Sequence, residues 1–166
     1  MVVVSGSNAA DLATTIAEEL GWEHNPHEVR RFTASEGYVR VPQESIEAIR
    51  REPVVVVATT FPDSGIVEAL LMLESIHDVR SGDMSNLQGE GEQNLDDVGP
   101  GIFLAVPYFG YSRQDKRFQR GEVVSAKLLA RLLTRRCDGM VVLDLHAPTV
   151  LDDLEVPVAF VSSMPE

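Results

Sequence analysis

Lysine is nearly missing from this chain: of 14 basic residues only Lys116 and Lys127 are lysines, against 26 acidic residues and a formal charge of −12. Binding a nucleic-acid backbone needs a net basic face, so the balance argues against that class of partner, although a local basic loop can still hold one nucleotide. An acidic, lysine-poor surface resembles those of proteins adapted to high salt, and an ordinary acidic protein fits the same numbers. Cysteine is limited to Cys137, which excludes an internal disulfide and fits a reducing cytoplasm; beside Arg135 and Arg136 it reads as structural. Long apolar runs are absent too. None approaches the roughly 18 residues of a membrane span, and no charged segment precedes the short run Met1 to Val4, so neither a membrane nor a secretory route is expected. The turn Ser5-Gly6-Ser7-Asn8 lacks both the three-glycine dinucleotide pattern and the phosphate-loop lysine, and reads as a plain turn.

What is present alternates. The run Met1 to Val4 is followed by Leu12, Ile16 and Leu20 at helical spacing, with Ser7 or Asn8 available as cap and Gly21 as stop. Glu28 to Phe32 and Tyr38 to Val41 read as a hairpin, and Pro42 opens a helix ending at Arg50 or Arg51. Val54 to Ala58 is a continuous apolar run of the kind a strand buried on both faces requires, and a helix over Ile66 to Val79 follows. Strand Ile102 to Val106, helix Val124 to Arg135 packed through Leu128, Leu129, Leu132 and Leu133, and strands Met140 to Leu143 and Val156 to Val161 complete the pattern. A chain of 166 residues is enough for one such domain. The expected fold is a three-layer α/β domain, a mostly parallel sheet with helices on both faces, interrupted by an aperiodic, mobile excursion near residues 80–101.

The stretch from Val106 to Lys127 carries the densest chemistry. A loop that leaves a parallel strand and holds Arg113, Gln114, Asp115, Lys116 and Arg117 is placed where open α/β sheets meet their ligands. Arginine offers a fixed fork of donors to phosphate or stacks on a base, and glutamine both donates and accepts toward purine edges. A solvated turn whose charges pair with one another is the plainer alternative. Asp144 and His146 follow the next strand; on an extended chain they share one side and can reach one ion. Lys116, Arg117 and Arg120 could steer anionic substrates or form half of an interface. His24, His27 and His77 share no metal-ligand spacing and read as surface or structural.

Pro107-Tyr-Phe-Gly-Tyr-Ser-Arg-Gln-Asp-Lys-Arg-Phe, then Gly121-Glu122 and Ser125-Ala126-Lys127, resembles the signature region of ribose-phosphate pyrophosphokinases; Asp144-Leu145-His146 with Val156-Pro157-Val158 forms a second matching block. The resemblance implies the phosphoribosyltransferase-like amino-terminal half of such an enzyme. It further implies ATP contacts from Arg113 and Gln114, with Mg2+ held by Asp144 and His146. Phe32 and Glu36 align with the family segment that reaches the adenine bound by a neighbouring subunit, so a homo-oligomer is expected. The chain departs from the family where Ala34 and Ser35 replace aspartate and glycine. At the two positions beyond His146 where the family carries further acids, this chain has Glu155 and Ala159, so only Glu155 keeps a carboxylate. The implied activity is transfer of diphosphate from ATP to ribose 5-phosphate, with no catalytic residue in this half and the sugar-phosphate loop in an absent carboxy-terminal half. A non-catalytic regulatory or partner-binding relative is the alternative reading.

Overall fold

The computed structural model describes residues 1–82 and 99–163. Strand β1 (Val2–Ser5) leads into helix α1 (Ala10–Leu20), the two-residue strand β2 (Glu23–His24) and the hairpin β3 (Glu28–Arg31) with β4 (Gly37–Arg40). A 3-10 turn (Gln43–Ser45) then runs into α2 (Ile46–Arg51), β5 (Val54–Val57) and α3 (Asp63–Ser81). After the undescribed residues come β6 (Ile102–Val106), α4 (Ser125–Thr134), β7 (Gly139–Leu143), a 3-10 turn (Pro148–Leu151) and β8 (Val158–Val161). Six strands form one parallel sheet in the order β2-β1-β5-β6-β7-β8; β3 and β4 pair antiparallel by themselves.

Strand order explains where the helices go. From β5 to β8 the chain steps one way across the sheet, and right-handed crossovers put α3 and α4 on one face; from β1 to β2 it steps the other way, which puts α1 on the opposite face. Val2, Val4, Val54, Val56, Ile102, Leu104 and Val142 accordingly pack with Ile49, Met72, Leu73, Ile76, Leu129 and Leu133 of α2, α3 and α4. Val3 and Val57 pack with Ala13 and Ala17 of α1. Complete burial of a valine contributes about 1.5–3 kcal/mol, so the all-valine β5 is a principal source of stability. Helix α1 covers only the β1 and β5 end of its face. Val141 and Val161, on the same face toward the β8 edge, remain 39% and 49% exposed.

Several local expectations are corrected. Ser7 and Asn8 do not cap α1: the Ser7 N–H and hydroxyl donate to the Glu68 carboxylate at 2.5 and 2.7 Å, and the Asn8 amide pairs with the backbone of Thr59. Long-range bonds at the carboxyl edge of the sheet outcompete a local cap. The stop at Gly21 stands, with φ 64 in the left-handed region. Leu12, Leu20, Leu128 and Leu132 are exposed, and the small Ala13 and Ala17 face the sheet instead. Helix α3 continues past Val79 to Ser81 because the Arg80 guanidinium donates to the Ile49, Glu52 and Pro100 carbonyls, tying three chain ends together. The remainder of the expected excursion, 83–98, lies outside the described residues. Cys137 is buried, and burial pushes its thiol up to about 11, in keeping with a structural role.

Candidate functional site

The loop between β6 and α4 is fastened to the loop between β5 and α3. Thr60, 1% exposed, donates its N–H (3.0 Å) and hydroxyl (3.2 Å) to the Tyr108 carbonyl and accepts the Gly110 N–H at 2.6 Å. A Cβ at Gly110 would lie 2.4 Å from the Thr60 carbonyl oxygen, so only glycine permits this approach. Beyond it Tyr111 adopts φ 61 and donates its hydroxyl to Asp63 Oδ1 at 2.8 Å; this bond raises the Tyr111 pKa. A cleft of about 410 Å3 opens between the two loops, lined by Thr60, Phe61, Asp63, Tyr108, Tyr111 and Arg113 among others. Phe61 and Tyr108 meet edge to face across it, ring centroids 5.7 Å apart.

Arg113 is exposed and has no hydrogen-bond or ion-pair partner among the described residues, so its guanidinium is available to a ligand. Gln114 is more constrained: its carbonyl accepts the Ala126 N–H in the first turn of α4, and its side-chain amide donates to the Lys116 carbonyl at 3.4 Å. The remainder of the loop folds on itself. The Glu122 carboxylate accepts the N–H groups of Phe118 and Gln119, and Arg117 Nε donates to the Glu122 carbonyl. Lys116 lies over the Phe118 ring.

The turn after β7 departs from the extended geometry expected of it. Asp144 takes φ 48, so Asp144 and His146 do not continue the strand's alternation. Both Asp144 oxygens accept from Ser163, one from its N–H at 2.9 Å and one from its hydroxyl, which holds the Asp144 pKa below the usual carboxylate value. His146 is exposed. Among the described residues no three histidine, cysteine, aspartate or glutamate side chains gather as a metal-holding group. The donors this turn offers are one carboxylate and one imidazole. The carboxylate is an oxygen donor of the kind Mg2+ takes, whereas an imidazole would reach that ion through its waters. Glu155 precedes β8, at the amino end of the parallel pair, whereas Asp144 follows the carboxyl end of β7; the remaining family acid therefore lies at the opposite edge of the sheet.

Phe32 and Glu36 sit at the hairpin tip, where the Phe32 N–H bonds to the Glu36 carbonyl. Phe32 is 46% exposed and packs edge to face on Tyr38, with Arg30 over the Tyr38 ring. Glu36 lines a second cavity of about 340 Å3 between hairpin and α3, together with Ser7, Arg31, Ser64 and Glu68. That cavity shares no lining residue with the Arg113 cleft. Ser35, standing where the family pattern has glycine, takes φ 68. Thr60, Asp63 and Tyr111 were not signalled as site residues by the sequence; the clue would have been a threonine three residues past a buried strand and one position before an aromatic-proline turn.

Fold and cleft together define an open α/β domain of the phosphoribosyltransferase-like kind, with its candidate ligand loops at the carboxyl ends of parallel strands. Residues 1–83 and 100–136 match the family described as the N-terminal domain of ribose phosphate pyrophosphokinase, and the chain belongs to that family. The ribose-phosphate pyrophosphokinase of Methanothermobacter thermautotrophicus is 34% identical over 167 residues, covering 99% of this chain and 50% of the relative. That of Methanopyrus kandleri is 34% identical over 168 residues, with 100% and 50% covered. The crystal structure of phosphoribosylpyrophosphate synthetase from Mycobacterium smegmatis superposes with a TM-score of 0.73 at 22% identity, over 97% of this chain and 48% of that one. The chain thus spans about half the length of the relatives it matches. Asp144 and His146 lie beyond the stretch matched to the family.

Proposed function

We propose that this chain is the ATP- and Mg2+-binding half of a ribose-phosphate diphosphokinase, which transfers the diphosphoryl group of ATP to ribose 5-phosphate in nucleotide biosynthesis. The observation that carries the reading is the Arg113 guanidinium, without a partner among the described residues and lining a cleft from a loop held by buried Thr60. Phosphoryl transfer depends on positioning and charge neutralisation more than on covalent chemistry, and an arginine fork on an anchored loop together with a carboxylate that recruits magnesium would supply both. Arg113 and Gln114 bind the nucleotide, Asp144 and His146 hold Mg2+ and its water shell, and Phe32 and Glu36 reach the adenine of a neighbouring copy in a cytoplasmic homo-oligomer. No described helix is long and apolar enough to cross a membrane.

Isothermal titration with MgATP tests the reading. Arg113→Ala removes a charge-assisted fork of roughly 1.5–3 kcal/mol and should weaken binding about tenfold or more. His146→Ala should weaken binding only with magnesium present. Equal affinity of wild type and Arg113→Ala would refute the loop assignment. A regulatory relative is favoured by one observation: Ser35 holds a left-handed turn conformation where the family pattern has glycine. Supplying the downstream half of a relative separates the two, since formation of phosphoribosyl pyrophosphate follows only from the enzyme reading.

A further inference from the structure

We infer that Asp63 is a positioning residue for Arg113, acting through the Tyr111 hydroxyl; the inference rests on the nucleotide reading of the Arg113 loop. Asp63 opens α3, where the helix dipole favours its negative charge. It accepts the Tyr111 hydroxyl at 2.8 Å, joining the β5–α3 loop to the β6–α4 loop across the cleft that Arg113 also lines. The join matters because Tyr111 holds φ 61, a region in which a side chain with a Cβ is disfavoured, so the backbone two residues before Arg113 stays there only while something restrains it.

Two other bonds show how the restraint is shared. The Gly110 N–H is bound to the buried Thr60 hydroxyl, which fixes the backbone just before Tyr111. The Gln114 N–H donates to the Tyr111 carbonyl at 2.9 Å and closes the turn that contains Ser112 and Arg113. Arg113 is therefore presented by a four-residue turn whose near end is anchored in the core. Its orientation is set by Tyr111, and Tyr111 is held from outside the turn by Asp63. With the hydroxyl bond gone, Tyr111 is free to leave the left-handed region and the turn can rotate, so the guanidinium meets the nucleotide in fewer of its conformations. Free energy of binding is lost as pre-organisation rather than as a contact.

Calorimetric titration of the chain with MgATP, paired with thermal melts, tests this. Tyr111→Phe and Asp63→Ala should each weaken binding about three- to tenfold, the size expected of one charge-assisted bond, and the double variant should lose no more than either alone. Asp63→Asn keeps an oxygen acceptor and should stay within about twofold of wild type. Melting temperatures should remain unchanged, because the bond is solvent-exposed. In an Arg113→Ala background Tyr111→Phe should have no further effect. Wild-type affinity in Tyr111→Phe, or an undiminished loss in the Arg113→Ala background, overturns the inference. If wild type and Arg113→Ala bind equally, or the chain binds no MgATP, the nucleotide reading itself fails and the inference with it.

Discussion

The loop after β6 and the turn after β7 leave neighbouring strands at the same edge of one sheet, yet the fold holds them differently. The first is tied to a buried threonine beneath a close backbone approach, between strands covered by helices. The second neighbours the edge strand β8, whose Phe160 and Val161 are about half exposed, and its aspartate is held by Ser163 at the surface. A guanidinium that must meet phosphate in one geometry gains from a rigid mount. A carboxylate that recruits a hydrated ion tolerates an adjustable one. The site as proposed thus places arginine where the core reaches the surface and carboxylate where it does not.

The largest expected effect is a response to acid, and it comes from a third place, the connection between β2 and β3. There His27 is 6% exposed, neither ring nitrogen has a hydrogen-bond partner among the described residues, and burial lowers its pKa from 6.5 to about 4. The unfolded chain then binds the proton more tightly than the folded one. Stability is intact above pH 6.5, falls between 6.5 and 4, and stops falling from this source below 4, a loss of about 3 kcal/mol. Denaturant titrations across that window should show the slope, and His27→Phe should flatten it. An unchanged slope would place the acid-sensitive group elsewhere. Asp144, with its pKa held below 3.8, acts in the same direction at lower pH: what it contributes is present above that value and lost only in stronger acid.

A smaller effect separates two glycines of the same loop. Gly110→Ala drives a Cβ toward the buried Thr60 carbonyl, a backbone contact that no rotamer relieves, and should cost about 2–3 kcal/mol. Gly121→Ala meets nothing within 4 Å and is penalised only for its φ of 94, about 1 kcal/mol. Equal losses in urea titration would mean that the loop is not anchored at Thr60.

How far the sequence could be read follows the same division. Val54 to Ala58 and Ile102 to Val106 are legible because a strand buried on both faces must be apolar throughout, and no other element of that length needs to be. The two-residue β2 carries no pattern at all. Helical periodicity placed α1 and α4 and found Leu129 and Leu133 of the α4 core, but it added the exposed Leu128 and Leu132 and misjudged the face of α1, because close packing on a sheet favours the alanines of α1 over its leucines. Arg113 was singled out through a resemblance to a known signature, and the structure adds what holds its loop. Ser7, Asn8, Thr60 and Asp63 each bond to a residue about fifty or more positions away, and no local rule predicts such partners. The turn at Asp144 was misread because alternation was extended one residue past the strand, where φ turns positive.

The smallest effect belongs to that turn. Ser163→Ala removes the hydroxyl that donates to one Asp144 oxygen and leaves the backbone N–H on the other. The hydroxyl bond is the leading cause of the lowered Asp144 pKa, so the carboxyl should titrate closer to the ordinary aspartate value, read directly from its side-chain carbon resonance. Because Asp144 and Ser163 are exposed, the melting temperature at neutral pH should not move. A melting loss comparable to that of Gly110→Ala would show that the β8 edge carries structural weight, and the contrast between a core-anchored loop and an edge turn would fail. A shifted titration at constant melting temperature sharpens it: one hydroxyl then sets the affinity of Asp144 for protons without bearing on the fold.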